Sequence, residues 1–271
     1  MTLRDAAAQL SAAGCEDALY CARELFRHYE KLSDTQLYGT NPTTENDDLI
    51  RAVQRRAEGE PLCYILGYAD FYRERYVVTP DVLIPRPETE LLVDYAVEHL
   101  KDGERFADLC TGSGCIALSV LSHTKNTRAA LVDISEGALR VAAENAERLG
   151  LSARTDILRA DVLHDTLADT FDMILSNPPY VDDAVYPHLS REIHREPRIA
   201  FVGGRDGMDF YRAIIEQHKD RLHKDGKIVL EIGYDQGERI TALGESAGFS
   251  VEIKKDHGGL DRVAILLKKP L

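Results

Sequence analysis

The chain has 271 residues, 44% of them hydrophobic and 29% charged, with a formal net charge of −13. This composition is typical of soluble globular proteins, and the length suffices for two domains. The acidic balance argues against a protein that holds nucleic acid chiefly through phosphate contacts, because those contacts need a basic surface.

The cysteine pattern and the lack of long apolar runs indicate the compartment. Five cysteines occur, and none forms a Cys-x-x-Cys pair, which favours free thiols over disulfides or a zinc site. The first residues carry no apolar signal core, and no apolar run reaches membrane-spanning length. We therefore predict a soluble cytoplasmic protein without a bound metal.

Residues 1–70 are predicted to form a small helical bundle that binds a partner. Apolar residues recur at helical spacing in residues 16–32 and again in residues 44–59. The second segment carries a cluster of three arginines: Arg51, Arg55 and Arg56. We interpret this cluster as a solvated helix face.

Residues 71–84 are predicted to form a β-hairpin. Aromatic and β-branched residues run from Phe71 to Val78, Thr79-Pro80-Asp81 is a turn signal, and Val82-Leu83-Ile84 follows. The hairpin would link the helical domain (1–70) to a larger domain (85–271).

A helix is predicted to begin directly after the hairpin. Pro87 suits the first position of a helix whose first turn carries Glu88 and Glu90. Arg86 and Glu90 are candidate substrate contacts, although helix capping and surface pairing would explain the same residues.

From about residue 104, apolar strands alternate with helices such as Gly137–Leu149 and Asp209–Leu222. The candidate strands are Arg105–Leu109, Ala129–Asp133, Asp156–Ala160, Phe171–Ser176, Lys227–Ile232, Ser250–Lys254 and Val263–Leu267. The alternation predicts an α/β fold, a mainly parallel sheet with helices on both faces. The loop before the last strand is too short for a crossover helix, so the last two strands should be antiparallel.

A glycine-rich loop follows the first of these strands. Residues 108–117 read Asp-Leu-Cys-Thr-Gly-Ser-Gly-Cys-Ile-Ala and open a helix, so glycines and free N–H groups can approach a ligand. Gly112-x-Gly114-x-x-Ala117, with Asp133 at the next strand end, satisfies a loose dinucleotide fingerprint.

S-adenosylmethionine is the second interpretation of this loop, and a tight turn without a ligand is the third. For the methyl donor, Asp133 would bind the ribose, Asp108 would lie near the amino-acid end and Asp161 near the adenine. If the fourth strand lies beside the first, opposite the second, then the loop and the end of the fourth strand meet. That placement favours the methyl donor.

The fourth strand ends in Asn177-Pro178-Pro179-Tyr180. The prolines stiffen this tip and supply no N–H group. Asn177 Oδ1 and the Pro178 carbonyl can each accept one hydrogen of a planar –NH2 group, and Tyr180 can stack on its plane. A rigid loop with a packed tyrosine is the alternative. A nicotinamide dehydrogenase has no need for such a tip.

The loop, Asp133 and the tip together resemble class I S-adenosylmethionine-dependent methyltransferases that modify –NH2 groups. More specific matches resemble the PrmC/HemK family of release factor glutamine methyltransferases. They lie at residues 61–67, at 84–90, at Glu196-Pro197 with 203–207, and at Glu231-Ile232-Gly233. The resemblance spans residues from about 60 to the C-terminus.

The resemblance implies a fold and an activity. The fold would be a Rossmann-like, seven-stranded methyltransferase sheet with an N-terminal helical domain and a hairpin linker. The activity would be methylation of the glutamine side-chain amide in the Gly-Gly-Gln motif of class 1 peptide chain release factors. Separately from the resemblance, we expect a monomer, although no motif specifies the oligomeric state.

The resemblance also assigns individual residues. The cofactor would contact Cys110, Thr111, Gly112, Ser113 and Gly114, with Val162 near the adenine and Asn177 at the point of transfer. The glutamine would be held by Asn177, Pro178, Pro179 and Tyr180. Three positions depart from the usual family residues: Cys110 replaces a glycine, Val162 an aromatic residue and Cys63 a glutamine.

Two other functions remain open on the sequence. The same tip would grip the amino group of a flipped adenine or guanine, which makes a nucleic-acid amino-methyltransferase the alternative. The net charge of −13 and the lack of a long basic segment weigh against it. A non-catalytic binding module with a relic cofactor pocket is the other possibility, and the intact loop and Asn177 argue against it.

Overall fold

The computed structural model describes residues 1–268, which form two compact units. The first combines residues 1–68 with a short segment, 190–195. The second combines residues 69–189 with the residues from 196 onward. No helix among the described residues is long and apolar enough to cross a membrane.

The first unit is helical, as predicted. Its helices are α1 (Leu3–Ala12), α2 (Ala18–Glu30), α3 (Asp34–Gly39), α4 (Asp47–Ala57) and α5 (Leu62–Leu66). Their apolar faces bury Leu10, Leu25, Phe26 and Leu49 completely. Thr2 and Asp5 form a capping box that starts α1 by satisfying free N–H groups.

The predicted solvated arginine face is correct for Arg51 and Arg55 but wrong for Arg56. Arg51 and Arg55 have side chains 63% and 46% exposed, whereas that of Arg56 is 7% exposed. Arg56 Nη2 donates to Glu192 Oε1 at 2.5 Å, and Nη1 donates to the Glu60 carbonyl at 3.1 Å. Arg56 therefore fixes segment 190–195 to the first unit, a contact that helical periodicity cannot indicate.

The second unit opens on a hairpin whose turn lies earlier than predicted. The strands are β1 (Tyr68–Phe71) and β2 (Glu74–Val77), so Tyr72 and Arg73 form the turn. Tyr72 has a positive φ of 57°, and its N–H donates to Glu90 Oε1 at 2.7 Å. Thr79-Pro80-Asp81 makes a separate turn, which is closed by a hydrogen bond of 3.1 Å from Val82 N–H to the Thr79 carbonyl. The chain beyond it, residues 82–84, is not a strand.

Seven strands form the main sheet, in the order β5-β4-β3-β6-β7-β9-β8. They are β3 (Arg105–Leu109), β4 (Arg128–Asp133), β5 (Thr155–Arg159), β6 (Phe171–Ser176), β7 (Leu222–Glu231), β8 (Phe249–Lys255) and β9 (Asp261–Lys268). Strands β3 to β7 are parallel, and β9 pairs antiparallel with both β7 and β8. The predicted fold class, the position of the fourth strand and the antiparallel last pair are confirmed.

Helices cover both faces of this sheet, because successive strand residues are apolar on both sides. The helices are α6 (Glu90–His99), α7 (Cys115–His123), α8 (Glu136–Arg148), α9 (Asp209–His218) and α10 (Gly237–Ser246). A 3-10 turn, Pro87–Thr89, leads into α6. One core packs Phe106 and Leu131 against α6, α7 and α8, and the other packs Leu109 and Ile174 against α9 and α10.

Asn145 of α8 joins the hairpin to the glycine-rich loop. Its side chain is 1% exposed. Oδ1 accepts from Val77 N–H at 2.7 Å, while Nδ2 donates to the carbonyls of Val77 at 3.0 Å and Ser113 at 2.9 Å. One amide thus satisfies three backbone groups, of which the Ser113 carbonyl is buried and the two of Val77 are partly buried.

Replacing Asn145 by alanine is expected to lower the free energy of unfolding by about 2–4 kcal/mol, because it strands these three groups without partners. Urea denaturation followed by circular dichroism would measure the loss. Glu147→Ala, at an exposed position of the same helix, is the matched control and should change stability by less than about 0.5 kcal/mol. Equal stability of the two variants would contradict the role given to Asn145.

Candidate active site

The glycine-rich loop and the Asn-Pro-Pro-Tyr tip meet because β3 and β6 are parallel neighbours. Leu109, the last residue of β3, is paired with Ser176, the last residue of β6. The Ser176 hydroxyl donates to the Leu109 carbonyl at 2.6 Å and ties the two strand ends together. Carboxyl ends of parallel strands at a reversal of strand order form a ligand crevice.

A cavity of about 550 Å³ lies at these strand ends. It is lined by seven residues that the sequence predicts for the site: Cys110, Gly112, Asp133, Asp161, Val162, Asn177 and Pro179. The predicted site residues outside the lining are Arg86, Glu90, Asp108, Thr111, Ser113, Gly114, Pro178 and Tyr180. Ile134, Leu163, Ile199 and Phe210 add apolar wall that sequence reasoning missed.

The loop uses its glycines for two purposes. Gly112 has φ of 56°, and a Cβ added there would meet no atom within 4 Å, so its backbone lies open to the cavity. Gly114 has φ of 79°, and a Cβ there would lie 3.1 Å from a methyl group of Leu118. Gly112 therefore permits close approach of a ligand, whereas Gly114 permits close packing of α7.

Cys110 occupies a backbone conformation that normally favours glycine. Its φ is 59°, in the left-handed region where a Cβ is costly. Glycine, the residue that the family resemblance leads us to expect here, would adopt this conformation without that cost. Burial raises the pKa of the Cys110 thiol, so the thiol is neutral at pH 7.

Asp133 and Asp161 are placed at one side of the cavity by backbone N–H groups. Asp133 accepts from Gly112 N–H at 3.0 Å and from Ser135 N–H at 2.9 Å. Burial raises the Asp133 pKa, and these two hydrogen bonds oppose that rise. For Asp161, burial is outweighed by hydrogen bonds from His164 and the Leu163 N–H, which lower the pKa. Both are carboxylates that can accept from hydroxyl or amino groups.

Asp108 is completely buried beneath the loop. Its Oδ2 accepts from the Thr111 hydroxyl at 2.7 Å and from Ala117 N–H at 3.3 Å. Its Oδ1 has no hydrogen-bond partner among residues 1–268. Burial raises the Asp108 pKa to about 7. An unpartnered buried carboxylate oxygen is a position at which a ligand amino group or water would be stabilised.

Asn177 is the polar group of the tip that lines the cavity. Its Nδ2 donates to the Thr89 hydroxyl at 3.2 Å. The Tyr180 hydroxyl points to Glu231 Oε1 at 3.3 Å, and its ring packs partly into the core. The structure therefore brings Asn177 to the cavity wall and anchors Tyr180 behind it.

Thr89 and Glu231 are buried partners of the tip that sequence reasoning missed as site residues. The Thr89 hydroxyl donates to Glu231 Oε2 at 2.5 Å, and the two residues are each 2% exposed. Burial raises the Glu231 pKa to about 7, although hydrogen bonds from Thr89 and Tyr180 and the charge of Arg262 lower it. Both residues lie in motifs on which the family resemblance rests, and that was the available signal.

The motifs at 84–90 and 196–207 support the tip and its surroundings. Glu196 is buried, and it accepts from Ile84 N–H at 2.9 Å and from Arg86 Nη2 at 2.5 Å. The side chain of Arg86 stays 36% exposed. Arg86 is thus an ion-pair partner, while Glu90 holds the hairpin turn.

Gly203 and Gly207 lie directly against the backbone of the tip. A Cβ on Gly203 would lie 2.5 Å from the Pro179 carbonyl oxygen and 2.7 Å from Tyr180 Cα. A Cβ on Gly207 would lie 2.3 Å from the Tyr180 carbonyl oxygen, which accepts from Gln236 Nε2 at 3.1 Å. These glycines let a second segment press the tip into place.

These residues fit a nucleoside joined to an amino acid. The cavity has a typical ligand size, an open glycine backbone, a carboxylate for ribose hydroxyls and an apolar wall at Val162. Asp108 lies buried beneath the loop and outside the cavity lining, so its unpartnered oxygen is not placed against a ligand in the cavity. The arrangement can therefore place a bound ligand against Asn177.

Comparison with known proteins agrees with this geometry. Residues 2–67 match the PrmC N-terminal domain, and residues 87–198 match the methyltransferase small domain. Among solved structures, a methyltransferase from Pyrococcus furiosus is 21% identical with a TM-score of 0.55, covering 72% of this chain and 89% of that one. The ribosomal protein L11 methylase of Lactobacillus delbrueckii subsp. bulgaricus is 21% identical with a TM-score of 0.52, covering 71% and 84%. These two show the fold.

Curated relatives show the family. The release factor glutamine methyltransferase of Thermodesulfovibrio yellowstonii is 40% identical over 256 residues, which cover 91% of each chain. The protein of the same name from Agrobacterium fabrum is 36% identical over 267 residues, covering 94% of this chain and 92% of that one. The chain therefore belongs to the family of release factor glutamine methyltransferases.

Proposed function

We propose that this protein transfers a methyl group from S-adenosylmethionine to the glutamine side-chain amide in the Gly-Gly-Gln motif of class 1 release factors. S-adenosylhomocysteine is the second product. The observation that carries the proposal is Asn177, presented at the wall of a nucleoside-sized cavity with its Nδ2 already bonded to Thr89. The names and near-complete coverage of the relatives support the substrate.

The cofactor is assigned to the residues of the glycine-rich loop and the two neighbouring strand ends. Gly112 and the loop residues around it would hold the cofactor backbone, Asp133 the ribose, and Val162 with Asp161 the adenine side. Asp108 would face the amino-acid end. When bound, S-adenosylmethionine supplies an activated methyl group on a sulfonium sulfur.

The tip is assigned to the substrate amide. An amide nitrogen is a poor nucleophile because its lone pair is delocalised into the carbonyl. Asn177 Oδ1 and the Pro178 carbonyl would each accept one N–H, which orients the lone pair and stabilises the positive charge that develops on nitrogen. Tyr180 and Pro179 would complete the slot. The nitrogen would bond to the methyl carbon as the bond from that carbon to sulfur breaks, and one proton would pass from the nitrogen to water afterwards, so we assign no general base.

The helical unit is assigned to recognition of the release factor. We take residues 1–70 as this recognition domain, 71–84 as the linker and 85–271 as the methyltransferase domain. Arg86, which stays partly exposed beside Glu196, and Glu90 are assigned to substrate binding at the start of the methyltransferase domain.

The decisive experiment incubates purified protein with S-adenosylmethionine and a class 1 release factor. Mass spectrometry of the peptide that contains Gly-Gly-Gln should show the gain of one methyl group on its glutamine. A release factor with Gln→Ala at that position is the control. Transfer to transfer RNA, ribosomal RNA or DNA instead of the release factor would overturn the proposal.

Asn177→Ala is expected to lower kcat by about 10²–10³, the usual cost of one aligned hydrogen bond to the charge of a transition state. Cofactor affinity should fall much less, because the remaining cavity residues are intact. Single-turnover methylation and calorimetric titration of the cofactor would separate the two. Near wild-type turnover would show that the amide is not held by Asn177.

Gly203→Ala is expected to lower kcat while leaving the cofactor dissociation constant within about threefold, because its Cβ displaces Pro179 and Tyr180 by several tenths of an ångström. Gly39→Ala is the matched control, since a Cβ there meets no atom within 4 Å. If both variants keep full turnover, the close packing against the tip does not position it.

A further inference from the structure

We propose that Thr89 and Glu231 are positioning residues that fix the amide orientation of Asn177, so that its oxygen and not its nitrogen faces the substrate. The inference rests on the proposed function and deepens it. It assigns to this pair the selection of an –NH2 group over a carboxylate at the transfer point.

The contacts form one chain of hydrogen bonds behind the tip. Asn177 Nδ2 lies 3.2 Å from Thr89 Oγ1, and Thr89 Oγ1 lies 2.5 Å from Glu231 Oε2. The other carboxylate oxygen, Oε1, accepts from the Tyr180 hydroxyl at 3.3 Å. Thr89 and Glu231 come from separate elements, the turn before α6 and the end of β7.

The direction of these hydrogen bonds follows from the carboxylate at which they end. An ionised carboxylate can only accept, so Thr89 must direct its single hydroxyl hydrogen to Glu231. Thr89 Oγ1 then has only lone pairs left for Asn177. The amide must therefore turn its NH2 group to Thr89, which leaves Oδ1 directed away from the pair.

An Asn177 locked in this sense is an acceptor towards the cavity. The glutamine amide offers two N–H donors, whereas a glutamate carboxylate offers none and would face the Asn177 oxygen without a hydrogen between them. A site that presents only acceptors should bind glutamine and reject glutamate.

The ionisation of Glu231 sets the direction of the chain. Arg262, Thr89 and Tyr180 favour its carboxylate, while burial and the charge of Glu88 oppose it and bring the pKa to about 7. Protonated Glu231 could donate to Thr89, which would then be free to donate to Asn177 Oδ1. We therefore expect kcat to rise with pH through about 7 as the carboxylate forms.

The test compares Thr89→Val, which removes the hydroxyl at nearly constant volume, with Thr89→Ser, which keeps it. In the valine variant, an Asn177 that turns Oδ1 to the substrate leaves its Nδ2 buried against a methyl group, without a hydrogen-bond partner. We expect the free-energy cost of that unpaired group to lower kcat for release factor methylation by about tenfold to a hundredfold. The serine variant should restore most of the rate, and both should bind the cofactor like wild type. Thr241→Val, which removes a hydroxyl bonded to its own helix at Gly237, is the matched control.

The second measurement is selectivity, which a purely structural role would not change. Wild-type protein should bind the release factor more tightly than its Gln→Glu variant at the Gly-Gly-Gln position. In Thr89→Val this ratio should fall towards one, because Asn177 can then present its NH2 group. Glu231→Gln, which can donate to Thr89, should show the same loss and no rise of kcat through pH 7.

Equal kcat and equal glutamine-to-glutamate selectivity in wild type, Thr89→Val and Glu231→Gln would overturn the inference. The proposed function, as distinct from this inference, would fail if the wild-type protein did not methylate the release factor at all. The inference would then be decided by the side-chain NH2 resonances of Asn177, assigned by their loss in Asn177→Ala. A changed shift and faster hydrogen exchange in Thr89→Val would support it, and unchanged signals would overturn it.

Discussion

The pairing of β3 with β6 is the constraint on which the candidate site depends. These parallel neighbours end at the same level, with Leu109 beside Ser176, and the Ser176 hydroxyl closes the gap between them. One strand end carries the glycine-rich loop and the other the Asn177 tip. Because β4 lies on the opposite side of β3, Asp133 reaches the same cavity and bonds to Gly112. A fold that joined the strands in another order would separate these groups.

The donors of the tip, Asn177 Nδ2 and the Tyr180 hydroxyl, point to Thr89 and Glu231, and other segments also pack against its backbone. Two prolines remove N–H groups. Gly203 and Gly207 then allow a second segment to approach the tip backbone, and Gln236 satisfies the Tyr180 carbonyl. Residues that are far apart in the sequence thus pack against one short segment. Together they hold the Asn-Pro-Pro-Tyr tip in place.

The sequence predicted the parts of the fold that local pattern determines, and it missed those that depend on distant partners. The seven strands and the antiparallel end follow from apolar runs and loop lengths, whereas the place of the fourth strand beside the first was assumed and the structure agrees with it. The hairpin turn was misplaced because Tyr72 adopts a positive φ between the two strands, where its N–H donates to Glu90, a residue 18 positions away. Arg56 is buried by a residue 136 positions away, and Thr89 meets Glu231 across 142 positions. Periodicity carries no information about such pairs. For the candidate site, the residue types at the strand ends predicted which loops meet. They could not show which residues line the cavity and which lie behind that lining.

Two buried acids next to the cavity wall, Asp108 and Glu231, cost stability at neutral pH. Asp108 and Glu231 both have pKa values raised to about 7, against about 4 in an unfolded chain. Folding therefore favours their protonated forms: the stability they contribute is complete below about pH 4 and is lost as the pH rises through 7. A core selected for stability alone would replace both with apolar residues. Their presence beneath the glycine-rich loop and behind Asn177 is better explained by what a carboxylate does there. It fixes the direction of hydrogen bonds at the two places where a ligand would have to be oriented.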